Sequence, residues 1–143
     1  MKIRKVSKEL TETKFIRNDK FKDHFDKHVA KDPETYYFER SFELLPPMAE
    51  DEYDEAADEL TKQPVHTSNI EAADRYVGFV GKSGKIIKYD KVLGEIVIYI
   101  CNKTIACTVT YYQCNGFTHA RYKRLFEREY AREITIEDDK YNI

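Results

Sequence analysis

The sequence predicts an α+β fold: N-terminal helices, a four-stranded antiparallel β-meander and a C-terminal helix. Three observations carry this. Apolar residues recur at helical spacing up to about residue 61, at strand spacing from about 75 to 112, and at helical spacing again from about 117 to 133. The gaps between the strand-like runs are turn-sized and contain Gly or Asn, and such short gaps force neighbouring strands to run antiparallel. A chain of 143 residues, 41% hydrophobic and 35% charged, suits one core, so a single domain over 1–143 is expected.

Asn18 is a suitable N-cap for a helix from about Asp19 to Lys31, which Asp32-Pro33 stops because proline lacks a backbone donor and crowds the preceding turn. Phe21, Phe25 and Val29 form its apolar stripe, with His24 and His28 beside it on the same face. Segment 34–45 mixes aromatic β-formers with helical spacing at Tyr37, Ser41 and Leu44, and its type stays open. A second helix runs from about Met48 to Thr61, with Tyr53, Ala56, Ala57 and Leu60 as its stripe and acidic residues at its N-terminal end. Residues 65–74 read as a loop.

The strands are RYVGFV (75–80), KIIKYD (85–90), EIVIYIC (95–101) and TIACTVTYY (104–112). Strict alternation sets Ile105, Cys107, Val109 and Tyr111 on one face of the last strand and Thr104, Ala106, Thr108, Thr110 and Tyr112 on the other. In KIIKYD, Ile87 and Tyr89 join the buried face, which places Lys88 and Asp90 opposite. The expected sheet thus has a helix on one face and a partly open second face bearing Lys88, Asp90, Thr108, Thr110 and Tyr112.

Charge is segregated more than its net value of −2 implies. EDEYDEAADE (50–59) is densely acidic, whereas Lys82, Lys85, Lys88 and Lys91 crowd one hairpin. His119, Arg121, Lys123 and Arg124 begin a second basic cluster. A polyanion would dock on one side only, with Lys82, Lys85, His119, Arg121, Lys123 and Arg124 as its expected contacts. Solvated faces explain either run taken alone. The three cysteines, Cys101, Cys107 and Cys114, fit no common zinc spacing and read as packed thiols, which implies a reducing compartment. No apolar stretch is long enough to span a bilayer and no signal-peptide h-region is visible.

Histidine comes first among candidate catalysts, because it titrates near neutral pH without a large shift. His24 and His28 form an HxxxH pair without the glutamate of HExxH or an obvious third ligand, so no metal is expected there. His119 competes with them, and His66 is the weakest. Lys88, within a strand, can offset charge building on a phosphate. Thr108, Thr110 and Tyr112 can donate to the same phosphate, or are present for β-propensity alone. Asp90 orients a base or neutralises Lys88. GFVGKSGK (78–85) lacks the GxxxxGK[ST] spacing and joins two strands, which excludes a P-loop.

The order FKDHFDKHV, EYDEAADEL, GFVGKSGKIIKYDKVLGEIVIYI and TIACTVTYY resembles the barnase–EndoU–colicin–RelE superfamily of small ribonucleases, as found in contact-dependent toxins and prophages. The likeness spans roughly residues 20–130 and is most specific at the KHV-type histidine helix and the G-x(5)-G-x(3)-KYD hairpin. It implies cofactor-independent cleavage of RNA, tRNA among the candidates, by attack of the ribose 2′-hydroxyl on the neighbouring phosphate. It also implies that His24 or His28 is the base or acid, Lys88 the strand cation, and Thr108, Thr110 or Tyr112 the hydroxyl. Segment 34–47 and the cysteines depart from the pattern. Further implications are an immunity protein or antitoxin as partner and action in the bacterial cytoplasm, either free-standing or as part of a longer toxin. Two rivals need no catalysis: a nucleic-acid- or protein-binding module of a phage or mobile element, and an interaction protein that pairs along the sheet edge.

Overall fold

A computed structural model describes residues 13–39, 44–101, 106–114 and 119–134. The elements in chain order are β1 (Lys14–Phe15), α1 (Asp19–His28), α2 (Pro33–Glu39), α3 (Glu50–Thr61), β2 (Tyr76–Gly81), β3 (Ile86–Asp90), β4 (Glu95–Cys101), β5 (Ala106–Gln113), α4 (Ala120–Glu129) and β6 (Tyr130–Glu133). The fold is a mixed α+β one whose six-stranded sheet has the order β1-β5-β4-β3-β2-β6.

The sheet departs from the expected four-stranded meander at both edges. β1 pairs with β5 in parallel, Lys14 opposite Cys107 and Phe15 opposite Thr108. At the other edge the C-terminal helix does not run on to 133. It ends at Glu129, whose carbonyl accepts from Lys82 N–H at 2.7 Å, and Tyr130–Glu133 turns back as a strand antiparallel to β2. Gly78 lies under that strand's end, where a Cβ would stand 2.5 Å from the Ile87 carbonyl and 2.9 Å from Ile134. The expected starts at 104 and 117 lie outside the described residues.

Cross-strand register sorts the side chains onto two faces, since directly paired residues share a side. One row runs Gly78, Lys88, Val97, Tyr111; the next runs Val77, Tyr89, Ile96, Tyr112 on the opposite side. The first face packs Val97, Tyr99 and Tyr111 against Phe15, Phe21, Tyr53 and Leu60, with Phe15 stacked on Tyr53 at 5.1 Å. The second packs Val77, Phe79, Ile87 and Tyr89 against Tyr122 and Leu125 of α4. Both faces are therefore covered over the middle of the sheet, and all five residues of β3 are buried. The expectation of an open face over β3 fails for that reason.

α1 is capped as the sequence predicts, Asn18 Oδ1 accepting from Phe21 N–H at 3.1 Å. It stops at His28, three residues early, because the chain goes extended at Val29 and bridges Leu45 in parallel. Leu45 N–H donates to the His28 carbonyl at 2.7 Å, which pins the last turn of α1. α3 begins with a glutamate closing back on its own cap, Ala49 N–H to Glu52 Oε1 at 2.8 Å. No described helix is long and apolar enough to cross a membrane.

Candidate active site

α1 turns two different sides to the sheet. Phe21 and Phe25 join the core of the first face, while His24 and His28, one turn apart, reach residues of the second face at β5. His24 Nδ1 lies 3.1 Å from Thr110 Oγ1. The His24 and His28 rings stack with centroids 5.6 Å apart, and His28 stacks on Tyr112 at 5.0 Å. The Arg121 guanidinium of α4 lies over the same Tyr112 ring, 5.2 Å from its centroid. Two imidazoles, a phenol, a hydroxyl and a guanidinium thus converge between α1 and α4, over β5.

Burial and neighbouring charges shift the titration of these groups. Burial is the main cause that lowers His28 from the ordinary imidazole value to about 4, and His24, Lys27 and Arg121 lower it further. His24 is also lowered, by burial first and then by Lys27, with Asp23 opposing. Burial raises Tyr112, and Arg121 opposes that rise by charge and hydrogen bond. Near neutral pH His28 is therefore an unprotonated base in a positive surround, and Tyr112 keeps its proton.

Of the strand residues expected to join this cluster, Thr110 and Tyr112 do so and Lys88, Asp90 and Thr108 do not. Lys88 is on the opposite face, 1% exposed, and its ammonium donates to the carbonyls of Thr61 at 2.7 Å and Gln63 at 2.9 Å. It satisfies the C-terminal end of α3, where a cation also meets the negative end of the helix dipole. Asp90 is equally committed. It takes both Arg75 nitrogens at 3.0 and 2.9 Å and accepts from Val92 and Leu93 N–H, closing the β3–β4 turn. Thr108 fails for a different reason. The β4–β5 register shifts between Ile98 and Tyr99, so Val109 is an extra residue and Thr108 pairs with Tyr99 of the first face while Thr110 pairs with Ile98 of the second. Strict alternation cannot foresee that bulge.

The expected nucleic-acid contacts divide as well. Arg121 belongs to the cluster. Lys82 is exposed at the β2–β3 turn, Lys85 is half-buried beside the end of α4, and Lys123 and Arg124 are exposed on α4. His119 takes its own partner: it caps α4 in the left-handed conformation at φ 54°, with Nδ1 2.7 Å from the Tyr89 hydroxyl. Arg128 is close enough to oppose the rise of Tyr112, and its Nε donates to Glu129 Oε2 at 3.0 Å. The sequence marks Arg121 as basic but gives no sign that it, and not Lys88, is the cation beside the histidines. Among the described residues no third ligating side chain joins His24 and His28 in a metal-holding group.

The chain was compared with models of protein families, with curated proteins and with solved structures, and none matches it.

Proposed function

We propose that the chain is a metal-independent endoribonuclease, cleaving at the His24–His28–Arg121 cluster by transesterification through the ribose 2′-hydroxyl. The single observation that supports it is the convergence of two stacked imidazoles, Thr110, Tyr112 and Arg121 on one stretch of sheet face. In this reading the cation is Arg121, which replaces Lys88 in the role the family resemblance implied.

His28, held near 4, is the base: it takes the proton of the 2′-hydroxyl as that oxygen attacks phosphorus. A bound phosphodiester anion opposes the repulsion that lowers both imidazoles, and His24, the less buried of the two, gains the proton it then delivers to the departing 5′-oxygen. The phosphorus–O5′ bond breaks, leaving a 2′,3′-cyclic phosphate and a 5′-hydroxyl. Once His24 is protonated its Nδ1–H donates to the Thr110 hydroxyl, 3.1 Å away, which leaves Nε2–H to deliver the proton. Arg121 stabilises charge on the non-bridging oxygens, and Tyr112 holds His28 by stacking.

Incubation of purified protein with tRNA and other RNAs in EDTA, with the termini analysed, tests this. Cyclic phosphate from wild type and its loss in His28→Ala and Arg121→Ala are expected. Binding of RNA without turnover would instead favour a non-catalytic module that uses the same stack as a platform for bases.

A further inference from the structure

We infer that a hollow beside the histidine cluster, between β4–β5 and the end of α4, is a subsite for one unstacked nucleobase of an RNA strand. This deepens the ribonuclease reading and rests on it for the identity of the ligand. The hollow, about 130 Å³, is walled by Ile87, Ile98, Val109 and Leu125 and edged by Lys85 and Arg128. Two of its lining residues adjoin Thr110. Val109 precedes Thr110, the partner of His24, and Ile98 is the residue paired with Thr110 across the sheet.

Two irregularities of the sheet frame it. The bulge in β5 at Val109 forms one wall, and the register shift between Val80 and Gly81 in the β2–β6 pairing lies at the opposite rim. A Cβ at Gly81 would stand in ordinary contact with Glu129 O at 3.4 Å and with Ile87 Cδ1 and Lys85 O at 3.5 Å, so a side chain there would occupy that rim. Bulges beside an active site re-aim side chains and end regular packing.

Its chemistry selects the occupant. A nucleobase has two apolar faces and a polar edge, and the hollow is lined by aliphatic side chains together with Lys85 and the Arg128–Glu129 pair. Its volume of about 130 Å³ gives room for a heteroaromatic ring. Arg128 pairs with Glu129 at 3.0 Å, which leaves one net positive charge, from Lys85, to face an incoming phosphate. Single-stranded RNA is read by bases splayed from the stack, and a strand whose phosphate lies between His24, His28 and Arg121 places a neighbouring base within reach of this gap.

The test uses an uncleavable 2′-deoxy oligonucleotide and the same oligonucleotide with abasic positions, bound to the full chain and followed by fluorescence anisotropy. Wild type is expected to bind the intact strand about tenfold more tightly than the abasic one. Ile98→Phe, which fills the hollow, and Gly81→Val, which closes its rim, are each expected to remove that difference while leaving abasic binding unchanged. Equal affinity of wild type for both strands overturns the subsite and needs no variant to fold. If wild type cleaves RNA yet shows no base dependence, only the subsite fails. Base-dependent binding without cleavage by wild type sinks the ribonuclease and leaves the subsite standing.

Discussion

At the scale of single residues, commitment to partners separates the candidate catalysts from the structural polar groups. Lys88 is held by two buried carbonyls. Replacing it with Met removes their donor and is expected to cost about 2–4 kcal/mol, read as a lower urea midpoint at unchanged slope, with cleavage by the folded protein intact. Arg121→Gln is expected to do the reverse: stability near wild type and cleavage reduced at least about a hundredfold. The two threonines of β5 make a second contrast. Thr108 Oγ1 is buried with no hydrogen-bond partner among the described residues, so Thr108→Val is expected to be neutral or to stabilise by up to about 1 kcal/mol in chemical denaturation. Thr110→Val removes the partner of His24 and is expected to lower cleavage without that gain. His28 also links stability to pH. Its pKa in the folded chain is depressed, so the unfolded chain binds more protons between about 6.5 and about 4. Stability present above 6.5 is therefore lost as the pH falls through that window. Urea unfolding at pH 7 and pH 4.5 checks this, and His28→Gln is expected to show the smaller difference.

At the scale of elements, local chemistry places α1, α3 and the four central strands, and tertiary contacts place the rest. Asn18, the aromatic stripes and the Gly84 and Gly94 turns, with φ 87° and 75°, are visible in the sequence because each acts on its immediate neighbours. β1 is only two residues long and exists because Asp54 and Asp58 of α3 take the Phe15 and Thr13 N–H groups, a contact across about 40 residues that no local pattern announces. Tyr130–Glu133 continues a helical pattern on paper, yet β2 offers an unpaired edge and takes it as a strand. Asp54→Ala is expected to release β1 and cost about 2–3 kcal/mol. Hydrogen exchange checks this through lost protection at Phe15, while α4 keeps its own.

At the scale of the molecule, the sheet separates two electrostatic surroundings. On one side Asp51, Asp54 and Asp58 of α3 gather with Arg17, which bridges Asp51 at 3.0 Å and Asp54 at 3.1 Å. On the other, Arg121, Arg128 and Lys85 line the cluster and the hollow beyond it. The sequence marks both charge runs, but it cannot say which face of a two-sided sheet each would meet. That depended on the covered face over β3, which removed Lys88, and on the bulge at Val109, which removed Thr108 and kept Thr110. Binding of RNA is expected to weaken steeply with salt, and Lys85→Gln to reduce the slope of log affinity against log salt by about 0.7.

The most direct measurement is cleavage of RNA in EDTA by wild type, Lys88→Met, His28→Ala and Arg121→Ala, with the new termini identified. Wild type and folded Lys88→Met are expected to yield a 2′,3′-cyclic phosphate at similar rates, and the other two variants at least about a hundredfold less. Cleavage undiminished in His28→Ala and Arg121→Ala, or none by wild type on any RNA, would contradict the assignment.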